Sequence, residues 1–333
     1  MKGSSVRVRL GAFSITVPTD MSVMEDYMTY QNFLSEVTSL LSERFDNETT
    51  ITIQTIKKNN GISYDGLIIR EGNINIAPTI YLNTFYNEYC AGKSLDDIVC
   101  SIFELYHMHK CEANFDASFF LDYNHIKDKI ILKLINTEMN NELLKDVPSL
   151  DYLDLSVVFC LCLSIKSDEV TTILLHNEHI KNWNVSLNEL YDVALHNTPK
   201  LLSSNIINMA DFMLETLDLS SIDINIEEIM LNPMYILTNK VKLNGASCIL
   251  YEDLLKNFAT TVNSDLYIIP SSIHEVLILP SSNIHCVDDL NKIIEMVNST
   301  ELKKEDILSN HAYIYSRNSC KLTFSFSIIN QID

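Results

Sequence analysis

Apolar and polar positions change period along the chain, and the changes mark its elements. Over residues 5–17, Val6, Val8 and Leu10, then Phe13, Ile15 and Val17, fall on alternate positions, which predicts two short strands turning near Gly11. Over 22–45 the period lengthens. Val23, Tyr27, Tyr30, Leu34, Val37, Leu41 and Phe45 recur at steps of three and four, so one helix face collects them. Residues 50–56 alternate again, and 62–69 is the return strand after Asn59-Asn60-Gly61, where Asn and Gly tolerate positive φ. An extended stretch at 73–82, interrupted by Pro78, leads into a helix at 83–90. A longer helix opens at Ser94, with Asp97 three residues on as its capping partner. Residues 111–150 are less regular: 126–134 fits helix or strand, and 138–145 reads as helix.

From Asp151 strands and helices alternate. Residues 155–165 form a buried strand, Ser167-Asp168 a turn, and 170–175 the antiparallel partner. A short helical stretch covers 178–183. Ser186 and Glu189 make a capping box that opens a helix through His196, with Pro199 just past its end. Helices follow at 206–217 and 226–231, short strands at 234–237 and 247–251 around Gly245, and a helix at 252–262. The stretch 264–280, SDLYIIPSSIHEVLILP, places two apolar runs on either side of a Pro-Ser-Ser turn and reads as the central hairpin of the C-terminal sheet. A helix at 287–297 and strands at 312–315 and 322–328 complete the chain. The helix VSLNELYDVALHNT (185–198) and the helix VDDLNKIIEMVNST (287–300) each follow a strand pair. They suggest two strand-pair-plus-helix units, although any amphipathic helix ending in Asn-Thr would match as well. The expected plan is an N-terminal α/β part at 1–112, a helical bridge at 113–150 and a C-terminal α+β part at 151–333. The fold class is α+β, with mixed or antiparallel sheets packed with helices.

Composition narrows the classes. A chain of 333 residues, 47% hydrophobic and 20% charged, has the balance of a packed globular protein. A net charge of −20 argues against nucleic-acid binding and against an anionic membrane surface, both of which need clustered Lys and Arg. It leaves solubility, a basic partner, or an acidic inhibitor that mimics nucleic acid. The first eighteen residues lack the apolar core of a secretory signal, and no apolar run nears the ~20 residues that span a bilayer. Eight scattered cysteines without CxxC spacing fit reduced core residues in a cytoplasmic protein. The seven glycines form neither a phosphate loop, nor a dinucleotide fingerprint, nor a nucleophile elbow, so no cofactor is expected.

Two clusters carry candidate chemistry. His176-Asn177-Glu178-His179, at a strand-to-helix turn, offers two imidazoles and a carboxylate that could hold zinc or iron. The spacing differs from the helical His-Glu-x-x-His motif, and ordinary turn and helix-start chemistry explains the same residues. Ser271-Ser272-Ile273-His274-Glu275 suggests a hydrolase, yet nucleophile and base must meet in space. As neighbouring strand residues, His274 and Glu275 point to opposite faces, which leaves only one of them free for a ligand. His107 and His109 splay apart on a helix, Cys160 and Cys162 suit a buried strand, and Tyr81, Phe85, Tyr86 and Tyr89 have the spacing of core aromatics.

The segments TIYLNTFYNEYCAGKSLDDIV (79–99), MNNELLKDVPSLDYLDLSVVF (139–159), TILLHNEHIKNW (172–183) and LYIIPSSIHEVLILP (266–280) resemble a domain family of unknown function from gut Clostridia and other Firmicutes. The C-terminal part is distantly similar to the YtpQ-like family. The resemblance implies a bacterial cytoplasmic protein of α+β build and carries over no catalytic residue. It places His274, Glu275, Glu178 and His179 inside the segments of likeness. The expected function is a non-enzymatic binding, interaction or regulatory module with a protein partner. The alternatives are a hydrolase or metal-dependent enzyme using the two clusters, and an acidic inhibitor.

Overall fold

Thr29 starts the first helix. Its backbone is extended, and its hydroxyl accepts the Asn32 N–H at 3.3 Å, so α1 runs Tyr30–Ser42. That is shorter than the 22–45 expected: the cap fixes the start, and Phe45 lies beyond the end. The computed structural model describes residues 27–72, 77–110, 120, 122–166, 169–216, 233–283 and 288–325. The strands expected at 5–17, the turn at 167–168 and the helix at 226–231 lie outside the described residues. These residues are α+β, with three sheets in which every described strand pair is antiparallel.

The chain divides into two units. In the first, β1 (Thr49–Lys57) pairs with β2 (Ser63–Glu71) through nine residues, and β3 (Thr79–Tyr81) flanks β2 on its other side. Asn60 and Gly61 take φ of 58° and 68° in the turn, as the Asn-Asn-Gly signature requires. Helices α2 (Leu82–Cys90) and α3 (Leu95–His109) follow, and Ser94 caps α3 by accepting the Asp97 N–H at 3.1 Å. Phe33, Val37 and Leu41 of α1 meet Leu67 and Ile69 of β2 and Ile98 and Ile102 of α3 in one core.

The second unit begins with α4 (Tyr123–Ile126), β4 (Ile130–Asn136) and α5 (Asn141–Leu144). The ambiguous segment 126–134 thus holds both a helix end and a strand, and strands stand within the stretch read as a helical bridge. Strand β5 (Ser149–Tyr152) leads to the long β6 (Leu155–Lys166) and β7 (Glu169–Leu174). β4 lies on one edge of β6, and β5 and β7 share the other. Two helices follow, α6 (Asn177–Trp183) and α7 (Leu187–Leu201). α7 runs past Pro199, which was expected beyond its end, because Thr198 bonds back to Ala194 and also accepts the Leu132 N–H.

The remaining elements build a six-stranded sheet in the order β13-β12-β10-β11-β9-β8. They are β8 (Ser204–Asn208), α8 (Met209–Thr216), β9 (Tyr235–Asn239), α9 (Leu254–Thr261), β10 (Leu266–Ser272), β11 (Glu275–Pro280), α10 (Asp288–Thr300), β12 (Tyr313–Ser316) and β13 (Lys321–Phe324). Two local expectations change here. Ile206 and Ile207 belong to β8 rather than to a helix, since they pair with Leu237 and Ile236. Residues 245–250 form a 3₁₀ turn rather than a strand, because Gly245 presses against Thr238, Asn239 and His274 too closely to run beside β9. The hairpin β10–β11 is central, as expected, and its inward residues Leu266, Ile268, Val276 and Ile278 join the main core. No helix among the described residues is long and apolar enough to cross a membrane.

Candidate functional site

The His176 cluster is a helix start. Leu175 still donates its N–H to Phe159 of β6 at 2.9 Å, and the chain then turns through His176 into α6. Asp146 holds the turn twice: its carboxylate lies 2.7 Å from His176 Nδ1, and its carbonyl accepts the Asn177 N–H at 2.8 Å. His179 Nδ1 accepts the His176 N–H at 2.9 Å, so the neutral ring carries its proton on Nε2. Its ring stacks on Trp183 at 5.8 Å, and Phe120 meets it edge-on at 4.8 Å. Burial lowers the His179 pKa, and His176 lowers it further. Glu178 is exposed in the first turn of α6. Both Nδ1 atoms therefore serve the turn.

The His274 cluster is a clamp at the tip of the central hairpin. The reversal occurs at Ile273 and His274, not at Pro-Ser-Ser. Pro270 pairs with Val276, and a bulge before Ser272 carries the strand on. Buried Ile273 sets this place, donating its N–H to Asp306 and accepting the Ala246 N–H. His274 is consequently a turn residue. Its Nδ1 accepts the Asn244 N–H at 3.2 Å, its Nε2 lies 3.4 Å from Asp306, and its carbonyl accepts the Thr238 hydroxyl at 2.8 Å. Glu275 begins β11. Burial raises its pKa, while His274 and Lys242 pull it back. The two clusters have no partner in common: Asp146 and Trp183 serve one, Asn244 and Asp306 the other. Among the described residues no three His, Cys, Asp or Glu side chains are grouped to hold a metal ion.

A third polar cluster escaped the sequence. Asp154 Oδ2 accepts from Ser309 Oγ at 2.6 Å and contacts His311 Nδ1 at 2.9 Å, while Oδ1 accepts from Tyr313 at 2.6 Å. Leu153 before it has φ 60°, an uncommon conformation for leucine, and these partners hold that turn. Burial and then the Asp154 charge push the Tyr313 pKa up. Because Ser309 donates to Asp154 rather than to the His311 ring, no serine nucleophile is activated here. The one hint in sequence was the polar run Ser309-Asn310-His311 before a predicted strand.

Two residues further along β12 and β13 lies a cleft of about 250 Å³. Tyr152, Tyr251 and Tyr315 wall it, and Asp253, Lys256 and Cys320 supply its polar groups. Tyr251 donates its hydroxyl to Leu202 at 2.7 Å. Burial, and then the neighbouring Cys320, push the Tyr315 pKa up to about 12. Asp253 and Lys256 face each other at 3.1 Å, each about half exposed. Elsewhere, Cys160 and Cys162 are buried in β6, and burial pushes the Cys160 thiol up to about 11. His107 packs with Phe45, Phe103 and Tyr106 as a core-flanking ring.

Fold and site together define an α+β chain of two units, with a small tyrosine-walled cleft and with His176, His179 and His274 committed to turns. Residues 30–317 match the model of a family of unknown function, DUF5688, and the chain belongs to that family. No curated protein and no solved structure matches it.

Proposed function

We propose that this chain is a non-enzymatic binding module and that the cleft beside β12 and β13 takes a small amphoteric ligand with an apolar body. One observation carries the reading: three tyrosine side chains surround a cleft whose Asp253–Lys256 pair is solvent-facing and free to exchange partners. Tyr251 already donates its hydroxyl to Leu202, so it acts as a wall rather than as a donor. An ammonium group fits Asp253, a carboxylate fits Lys256, and aromatic or branched carbon fits between the rings. The cleft is below the usual ~300–1,000 Å³ of drug-sized sites, which suits a ligand the size of an amino acid or dipeptide. The same reading places the protein in a bacterial cytoplasm, in line with unpaired Cys160, Cys162 and Cys248 in its core.

Cys320 gives a local readout. Free phenylalanine, tyrosine and glycylphenylalanine are titrated by calorimetry, and peptide-resolved mass spectrometry follows alkylation of Cys320. At least one of these ligands should bind and slow that alkylation, and Lys256→Met should weaken binding about tenfold, the loss of one charge-assisted contact. Absence of both heat and protection across the three ligands overturns the reading.

A further inference from the structure

Among the described residues the first unit ends in an open edge. Strand β1 lies at the outside of the order β1-β2-β3 and pairs with β2 over nine unbroken positions. The Lys58 N–H reaches Ile62 O at 2.7 Å, which sets the phase of the ladder. Even-numbered residues of β1 bond to β2, so Ile51, Ile53, Thr55 and Lys57 direct their N–H and C=O groups outward. Thr49 shares that phase, and its N–H is taken by Asp46. Among the described residues no strand pairs with the others.

Soluble proteins blunt such edges with proline, a bulge, inward charges or a short strand. TTITIQTIK has none of these, and its one charge, Lys57, stands at the end. We propose that a second copy of this chain covers the edge, with the two β1 strands antiparallel about Ile53, fusing two three-stranded sheets into one of six.

The register follows from charge and from faces. A two-fold axis at Ile53 sets Ile51 against Thr55 and Thr52 against Gln54. It also sets Glu48 of one copy against Lys58 of the other, and Asp46 near the same basic end. A chain of net charge −20 repels itself over most of its surface. This edge instead carries acid at one end and base at the other, a pattern that an antiparallel second copy complements and a parallel one does not. The central three pairs supply about six main-chain hydrogen bonds. Faces match as well: Ile53, packed on its own core, meets its copy with Ile51 against Thr55 on the same face, while exposed Thr52 and Gln54 meet on the opposite face.

Sedimentation equilibrium of the full chain tests this, with hydrogen exchange followed across β1. The wild type should be a dimer whose Ile51, Ile53 and Thr55 amides exchange slowly. Thr52→Lys with Gln54→Lys sets like charges opposite each other twice and should raise the dimer dissociation constant about tenfold or more. Thr52→Lys with Gln54→Glu sets opposite charges there and should restore the dimer. Both side chains are exposed, so circular dichroism should stay unchanged. A monomeric wild type overturns the proposal, whether its β1 amides exchange fast or are slowed by another segment of the same chain. A dimer indifferent to both double variants also overturns it, since the interface then lies elsewhere.

Discussion

Gly245→Ala is the sharpest test of how the His274 clamp is built. A Cβ at residue 245 would lie 2.3 Å from Thr238 Oγ1, 2.4 Å from His274 O and 2.8 Å from Asn239 N. Two of these three atoms are backbone, so no side-chain rotation relieves the clash. The 3₁₀ turn must move about an ångström away from β9 and from the hairpin tip. That movement stretches two hydrogen bonds: Asn244 N–H to His274 Nδ1, and Ala246 N–H to Ile273 O. Overpacking costs about 1–3 kcal/mol, and each weakened hydrogen bond up to ~1 kcal/mol. Stiffening of the unfolded chain returns about 0.4–1 kcal/mol. The net is a loss of about 3 kcal/mol, or roughly 6–12 °C in Tm for a unit of this size. Gly66→Ala is the comparison. Its Cβ crowds Thr79 Cγ2 at 2.5 Å and Ile56 Cγ1 at 2.8 Å, both side-chain atoms that can give way, and meets backbone only at the ordinary contact distance of 3.5 Å from Gln54 O. Urea unfolding followed by circular dichroism should rank Gly245→Ala well below Gly66→Ala. A loss under about 1 kcal/mol at Gly245, or the reverse order, would refute the close-approach argument.

Two further predictions concern titration. Burial lowers the His179 pKa below 6.5, so the folded state binds fewer protons than the unfolded state there. Its contribution to stability is complete above pH 6.5 and is lost as pH falls through the lowered value. Trp183 is the only tryptophan and stacks on this ring, so its fluorescence should titrate below pH 6.5 in the wild type and lose that step in His179→Phe; a midpoint at or above 6.5 refutes the assignment. Glu275 is the opposite case. Burial raises its pKa above 4.5, so the folded state holds the proton longer, and ionisation at neutral pH works against folding. Glu275→Gln should therefore raise Tm at pH 7 and have little effect below pH 4.5; a lower Tm at pH 7 would show that the carboxylate has a stabilising partner.

What could be read from the sequence depended on how far away each residue's partners lie. Ser94 and Ser186 cap their helices through residues three positions on, and spacing alone revealed both. The central hairpin was legible from its two apolar runs, but its reversal point was not. Pro-Ser-Ser is good turn chemistry, yet Ile273 is anchored by Asp306 and Ala246, and those tertiary bonds move the turn past it. The same holds for residues 206–208, whose apolar spacing suited a helix until β9 offered them a ladder. Site residues follow the same logic. His176 and His179 were singled out as neighbours in sequence, and the structure spends both on a local turn. Asp154 and His311 are 157 residues apart, and nothing in either segment announces the other. They meet because the β5–β6 turn faces the start of β12, a relation that exists only after two sheets have packed. The cleft depends on the same relation, since Tyr152 comes from one sheet and Tyr315 from the other. The polar residues clustered around His176 and His274 stabilise turns, whereas the tyrosine walls of the cleft come from segments that only packing brings together.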